Sequence, residues 1–152
     1  APAQAFARLH MLAAADLVDD PDLLGRPRPG ADVATRLELL GQLITGATSA
    51  PAPVLAAVVH GELLTLDAFG SASGVVARAA SRLTSTSSGL DPHNLGVPEV
   101  TWFKKVDEYH SLATGFGTGQ PDALGAWIVF CCEAMVAGAT EAKSIVDAAR
   151  AG

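Results

Sequence analysis

Between Pro51 and Arg82 the sequence holds two helical stretches joined by a turn of small residues, and this juncture restricts the chain more than any other segment. Pro51 and Pro53 suit the first turn of a helix, where a missing N–H leaves no bond unmade. Val54, Leu55, Val58, Val59, Leu63 and Leu66 follow at helical spacing. Phe69-Gly70-Ser71-Ala72-Ser73-Gly74 interrupts the pattern. Val75, Val76, Ala79, Ala80 and Leu83 resume it, and the polar run Thr84 to Gly89 is expected to end that second helix.

The flanking segments carry the same period. Phe6, Leu9, Leu12 and Leu17 predict a helix over 2–18, stopped by Asp19-Asp20-Pro21-Asp22 and followed by a loop, Gly25-Arg26-Pro27-Arg28-Pro29-Gly30. Asp32 reads as the N-cap of a helix bearing Val33, Leu37, Leu40 and Ile44, broken by Gly46 to Ala50. Pro98-Glu99 opens another through Phe103, Val106, Tyr109 and Leu112, closed by Gly115, Gly117 and Gly119. Pro121-Asp122 starts a long last helix reaching about residue 149. No alternating strand pattern and no internal repeat interrupts this series, so the expected class is all-α, a bundle of about six helices. One domain is expected over 1–152, with its core over about 31–140 and a helix plus Pro/Gly loop over 1–30. The start at Ala1 rather than Met leaves the chain readable as a processed protein or as the rear part of a longer one.

Composition narrows the function. The 152 residues are 49% hydrophobic and 17% charged, which suits a packed domain and not a disordered one. Aromatics are only 5%, so closely approaching small-residue helices are expected in place of a large aromatic core. A net charge of −6 with no basic cluster excludes a nucleic-acid surface. Cys131 and Cys132 are adjacent and sit in an apolar run, so they read as reduced, buried thiols in a cytoplasmic protein. No uninterrupted apolar run reaches the ~18 residues of a membrane span, so no membrane is expected as a partner. His10, His93 and His110 are dispersed and show no metal spacing. The Ser81, Ser85, Ser87 and Ser88 run is no nucleophile elbow, and Gly115 to Gly119 lacks the strand and Gly-Lys-Ser of a phosphate loop. Trp102, Phe103, Trp127 and Phe130 are core residues or a surface for a partner helix; small-residue faces also suit a homodimer.

The turn admits two readings. In one, N–H groups at the start of the following helix, with Gly70 and Gly74 permitting the backbone angles, form an anion site with Gly70, Ser71, Ala72, Ser73 and Gly74, and Arg78 reaches back to the same anion. In the other, the turn is merely tight and Ser71 or Ser73 is an N-cap. Asp67 likewise reads either as a base or as a cap and partner of Arg78. An aspartate serves poorly as a base at neutral pH unless burial raises its pKa. His60 reads as a hydrogen-bonded core histidine that ties its helix to the turn.

Residues 67 to 78 resemble the signature of Fic domains, which runs His-Pro-Phe, a free position, Asp or Glu, a small residue, Asn-Gly-Arg, two free positions and Arg. Without gaps, Phe69 falls on its Phe, Ala72 on the small residue, Gly74 on its Gly and Arg78 on the closing Arg. His60 sits seven residues before the catalytic position, where many members carry a histidine. Pro51 and Pro53 before that helix, and Tyr109, Ala113, Pro121 and Leu124 after it, echo the family, so the resemblance spans about 31–140. It implies a Fic-like helical fold, with His60 and Phe69 structural at the site.

The departures bear on activity. In the family the histidine deprotonates a target hydroxyl that attacks a nucleotide phosphate; here that position is Asp67, the one candidate catalytic residue. Ser71 stands for the acidic magnesium ligand, Ser73 for the asparagine and Val75 for the first arginine. Losing base, metal anchor and phosphate clamp removes on the order of several kcal/mol of transition-state stabilisation per group. The self-inhibitory Ser/Thr…Glu motif of the family is absent as well. The resemblance therefore implies a binding or regulatory module without AMP transfer, without a metal and without a resident cofactor. The alternative is an enzyme of altered type that takes a nucleotide or phosphorylated ligand at the Gly70–Gly74 turn. A dinucleotide oxidoreductase is disfavoured by the lack of any strand-to-helix glycine fingerprint.

Overall fold

A computed structural model describes residues 1–151 and is all-α, with no strand among those residues. Its helices are α1 (Pro2–Ala13), α2 (Ala31–Ile44), α3 (Ala52–Leu66), α4 (Ser73–Ser87), α5 (Glu99–Lys104), α6 (Val106–Gly117) and α7 (Pro121–Ala151), with short 3-10 turns at Pro21–Leu23 and Gly70–Ala72.

α3 is the axis. It is apolar all round, as a helix surrounded by others must be, and it divides the interior into two cores. On one side α1, α2 and α4 bring Phe6, Val33, Leu40 and Val76 against Val59 and Leu63. On the other, α5, α6 and α7 bring Trp102, Tyr109, Phe116, Trp127 and Phe130 against Ala57. Five of the eight aromatics are thus gathered in one cluster, an aromatic core where a small-residue interior was expected. Small residues make room for it: a Cβ on Gly61 would lie 2.6 Å from Trp127 Nε1 and 2.9 Å from Phe116. Trp127 is wholly buried and its Nε1 donates to the carbonyl of Ala57 at 2.9 Å.

Four boundaries differ from the sequence expectation. α1 stops at Ala13, because the chain folds back: the Gly25 N–H donates to Nδ1 of the buried His10 at 3.0 Å. Leu12 and Leu17 are consequently exposed and Phe6 alone is fully inserted. At the start of α2 the N-cap is Gly30, and Asp32 lies inside the first turn without capping it. α4 runs on through the polar stretch because the hydroxyls of Thr84, Ser85 and Thr86 donate to the carbonyls of Ala80, Ser81 and Arg82, one turn back. The single helix expected over 98–112 is two, divided at Lys105 (φ −116°, ψ 43°) with no glycine or proline to mark the break.

α7 spans 31 residues. It is the one helix among the described residues long and apolar enough, by length and composition, to cross a membrane, although scattered charges hide this from a count of uninterrupted runs. Here its Trp127, Phe130, Cys131, Ala134 and Gly138 face the bundle. Gly138 is required by close approach, since a Cβ there would lie 2.6 Å from the backbone of Val97 and Pro98.

Candidate functional site

The chain between α3 and α4 is a bend into a new helix. Asp67 closes α3 in the left-handed region (φ 48°, ψ 41°). The Phe69 N–H donates to Ser73 Oγ at 3.0 Å, Gly70 adopts φ +66°, and α4 begins at Ser73. At Gly70 a side chain would find open space, so glycine is favoured there by its backbone angle alone.

The C-terminal carbonyls of α3 are satisfied from the Pro/Gly loop. Arg28 Nε donates to the Asp67 carbonyl at 2.6 Å, its Nη2 to the Leu66 carbonyl at 2.9 Å, and its backbone N–H to the Ala68 carbonyl at 2.7 Å. A cation placed at the negative end of a helix is favourable. The Asp67 carboxylate, 57% exposed, lies 4.0 Å from the same guanidinium. Asp67 therefore pairs with Arg28 and not with Arg78, as the sequence suggested; two residues so far apart in the chain share no periodicity that could have linked them.

The remaining turn residues divide by environment. Phe69, Ala72 and Ser73 are buried, Gly70 and Gly74 half-buried, and Ser71 exposed. The Phe69 ring packs against His10, with centroids 5.0 Å apart. Ser73 spends its hydroxyl on Phe69, which accounts for one of the N–H groups the anion reading leaves free.

Arg78 folds back along α4, its Nη1 lying 3.3 Å from where a Gly74 side chain would begin. Among the described residues it has no carboxylate within 4.0 Å, whereas Arg28, Arg36 and Arg82 pair with Asp67, Glu62 and Glu99. Burial raises the pKa of the nearby Tyr109 hydroxyl, and the Arg78 charge offsets part of that rise.

His60 is fully buried and its Nε2 is 2.9 Å from Tyr109 Oη. It therefore ties α3 to α6, and not to the turn as expected. Burial, with the nearby Arg78 charge, lowers its pKa to about 3. Which of the two donates follows the His60 tautomer, and in either tautomer the buried His60 Nδ1 is without a partner, as is the indole Nε1 of neighbouring Trp102. Tyr109 and Arg28 are the residues sequence reasoning passed over at this site.

Two crevices open on the surface. One, of about 680 Å³, lies between α4, the loop before α5, and α7. The other, about 540 Å³, lies between α3 and α6 against Leu64, Thr65, His110 and Thr114. The Gly70–Gly74 turn lines neither, although Leu64 at the edge of the second lies 3.8 Å from where a Gly74 Cβ would sit. Among the described residues no group of three His, Cys, Asp or Glu side chains is placed to hold a metal. Comparison with known proteins finds no matching family model, no matching curated protein and no matching solved structure.

Proposed function

We propose that this chain is a Fic-like helical domain that has kept the frame of the signature and lost its chemistry, acting as a cytoplasmic binding module that transfers no AMP. The support comes from what occupies the signature positions. Asp67 is held by Arg28 at the mouth of the Pro/Gly loop, and Ser73 is committed to the turn itself. Ser71 offers a neutral hydroxyl where a dication prefers carboxylate and phosphate oxygens. Val75 is an exposed aliphatic with nothing to donate.

The observation that carries the binding half is Arg78, a half-buried guanidinium with no carboxylate partner, laid against Gly74 at the first turn of α4. A cation so placed, beside a helix N-terminus, suits an anionic group such as a phosphate. Titration of the protein with inorganic phosphate, AMP and ADP in a calorimeter tests this. Binding that weakens at least about tenfold in Arg78→Ala supports it, and absence of heat with all three overturns it. Incorporation of labelled AMP into any protein, with magnesium present, would overturn the other half.

A further inference from the structure

The groove of about 680 Å³ beside α7 is unrelated to the turn and belongs to a part of the fold with no other explanation. Beyond Gly138 no residue of α7 is buried, so 139–151 project from the bundle as a helix of roughly 20 Å. A stretch of that length has little stability in water without a packed face. The projecting half nevertheless presents one: Met135, Ala139, Ala142 and Val146, four, three and four residues apart, line the groove. Its opposite wall is the loop before α5, which offers the exposed Leu90 and Leu95. That wall is fixed, since Asp91 accepts from the N–H groups of Leu95 and Gly96, and Arg82 donates to the Gly96 carbonyl at 2.8 Å.

We infer that the groove receives the α7 projection of a second copy of this chain, antiparallel, about a two-fold axis on the groove face midway between Lys143 and Asp147. The charges select this occupant. Lys143 and Asp147 both lie on the groove face, on either side of that axis, and pair with each other one turn apart along the helix, so that antiparallel packing joins two such pairs into a square of alternating charge. Antiparallel packing sets each Lys143 opposite Asp147 of the other copy, whereas parallel packing in register sets like against like. Ala139 and Ala142 let the two helix axes approach closely. A helix about 10 Å thick overlapping for about 20 Å covers roughly 200 Å² on one side, and the Leu90–Leu95 wall about doubles it. The total of roughly 800 Å² over both copies is that of a weak, reversible dimer. This inference stands independently of the Fic-like reading.

Sedimentation velocity of the full chain over a concentration series tests it. The expected result is a concentration-dependent dimer whose dissociation constant rises at least about tenfold in Lys143→Asp and in Asp147→Lys, and returns to within about threefold of the parent when the two single variants are mixed in equal amounts, a rescue that pairing along one helix cannot give. Ala142→Glu, at a half-buried groove position, provides a further disruption that leaves both charges in place, with circular dichroism confirming the fold of each variant. A monomer at every concentration overturns the inference. So does a dimer indifferent to both single reversals, or a monomer whose native mass carries a small molecule removed by Ala142→Glu.

Discussion

Arg28 reaches from the proline-rich loop to the end of α3 and donates to the carbonyl of Asp67 at 2.6 Å, so the loop locks the helix terminus from which the bend departs. Three donors from one residue meet three successive carbonyls, those of Leu66, Asp67 and Ala68. Arg28→Ala removes the two side-chain bonds and keeps the third. Because the guanidinium is about half exposed, the expected loss is about 1 kcal/mol in urea unfolding, and it shrinks little in high salt because the bonds are to neutral carbonyls. Asp67→Asn, which loses only the long ionic contact and keeps a side chain that tolerates the left-handed backbone, should cost well under that. Equal losses for the two would show that the ion pair, and not the capping, holds the loop.

Trp127 over Gly61 makes a second, stricter prediction. The Cβ of Gly61→Ala would meet Trp127 Nε1 at 2.6 Å and the Phe116 ring at 2.9 Å, both immobilised in the aromatic core. Overpacking of about 1–3 kcal/mol outweighs the helix propensity gained, roughly 1 kcal/mol, so thermal unfolding should fall. Trp127→Phe removes the extra donor to the Ala57 carbonyl and leaves a void where the larger indole stood, costing about 1–3 kcal/mol.

The thiols give a chemical prediction. Burial raises the pKa of both, far more for Cys131 than for half-buried Cys132. Iodoacetamide at pH 7.5 should therefore label the native protein slowly at Cys132 and leave Cys131 untouched until denaturant is added, as read by peptide mass. Rapid labelling of Cys131 would show that this face of α7 opens in the native state.

The helices were largely legible because α3, α4 and α7 carry their period in Val, Leu and Trp, while Pro51, Pro53 and Pro121 mark their starts. The break at Lys105 was hidden, since neither glycine nor proline stands there. The extension of α4 was hidden because a Ser/Thr run reads as loop until its hydroxyls are seen bonding back to the helix. At the candidate site the bend at 67–74 was legible from Gly70 and Gly74. Its fastening was not: Arg28 and Tyr109 act over separations of 39 and 49 residues from Asp67 and His60, and no local pattern encodes such a pairing.

His60 supplies the pH dependence. In the unfolded chain its pKa is about 6.5, and in the fold it is lowered to about 3. Between those values the unfolded state binds the proton and the folded state does not, so acid favours unfolding. The stabilising contribution is fully present above about pH 6.5 and is lost progressively as pH falls toward 3; buried His10, also shifted down, acts in the same direction. The diagnostic window is pH 6 to 4.5, above the range where most carboxylates titrate. There the parent should lose on the order of 1–3 kcal/mol in urea unfolding, and His60→Gln should show a visibly flatter slope, although it starts from lower stability. Tyr109→Phe leaves His60 without its hydroxyl partner and should cost about 1–3 kcal/mol at pH 7 while retaining the acid slope. A His60→Gln profile as steep as the parent's would assign the acid sensitivity elsewhere in the molecule.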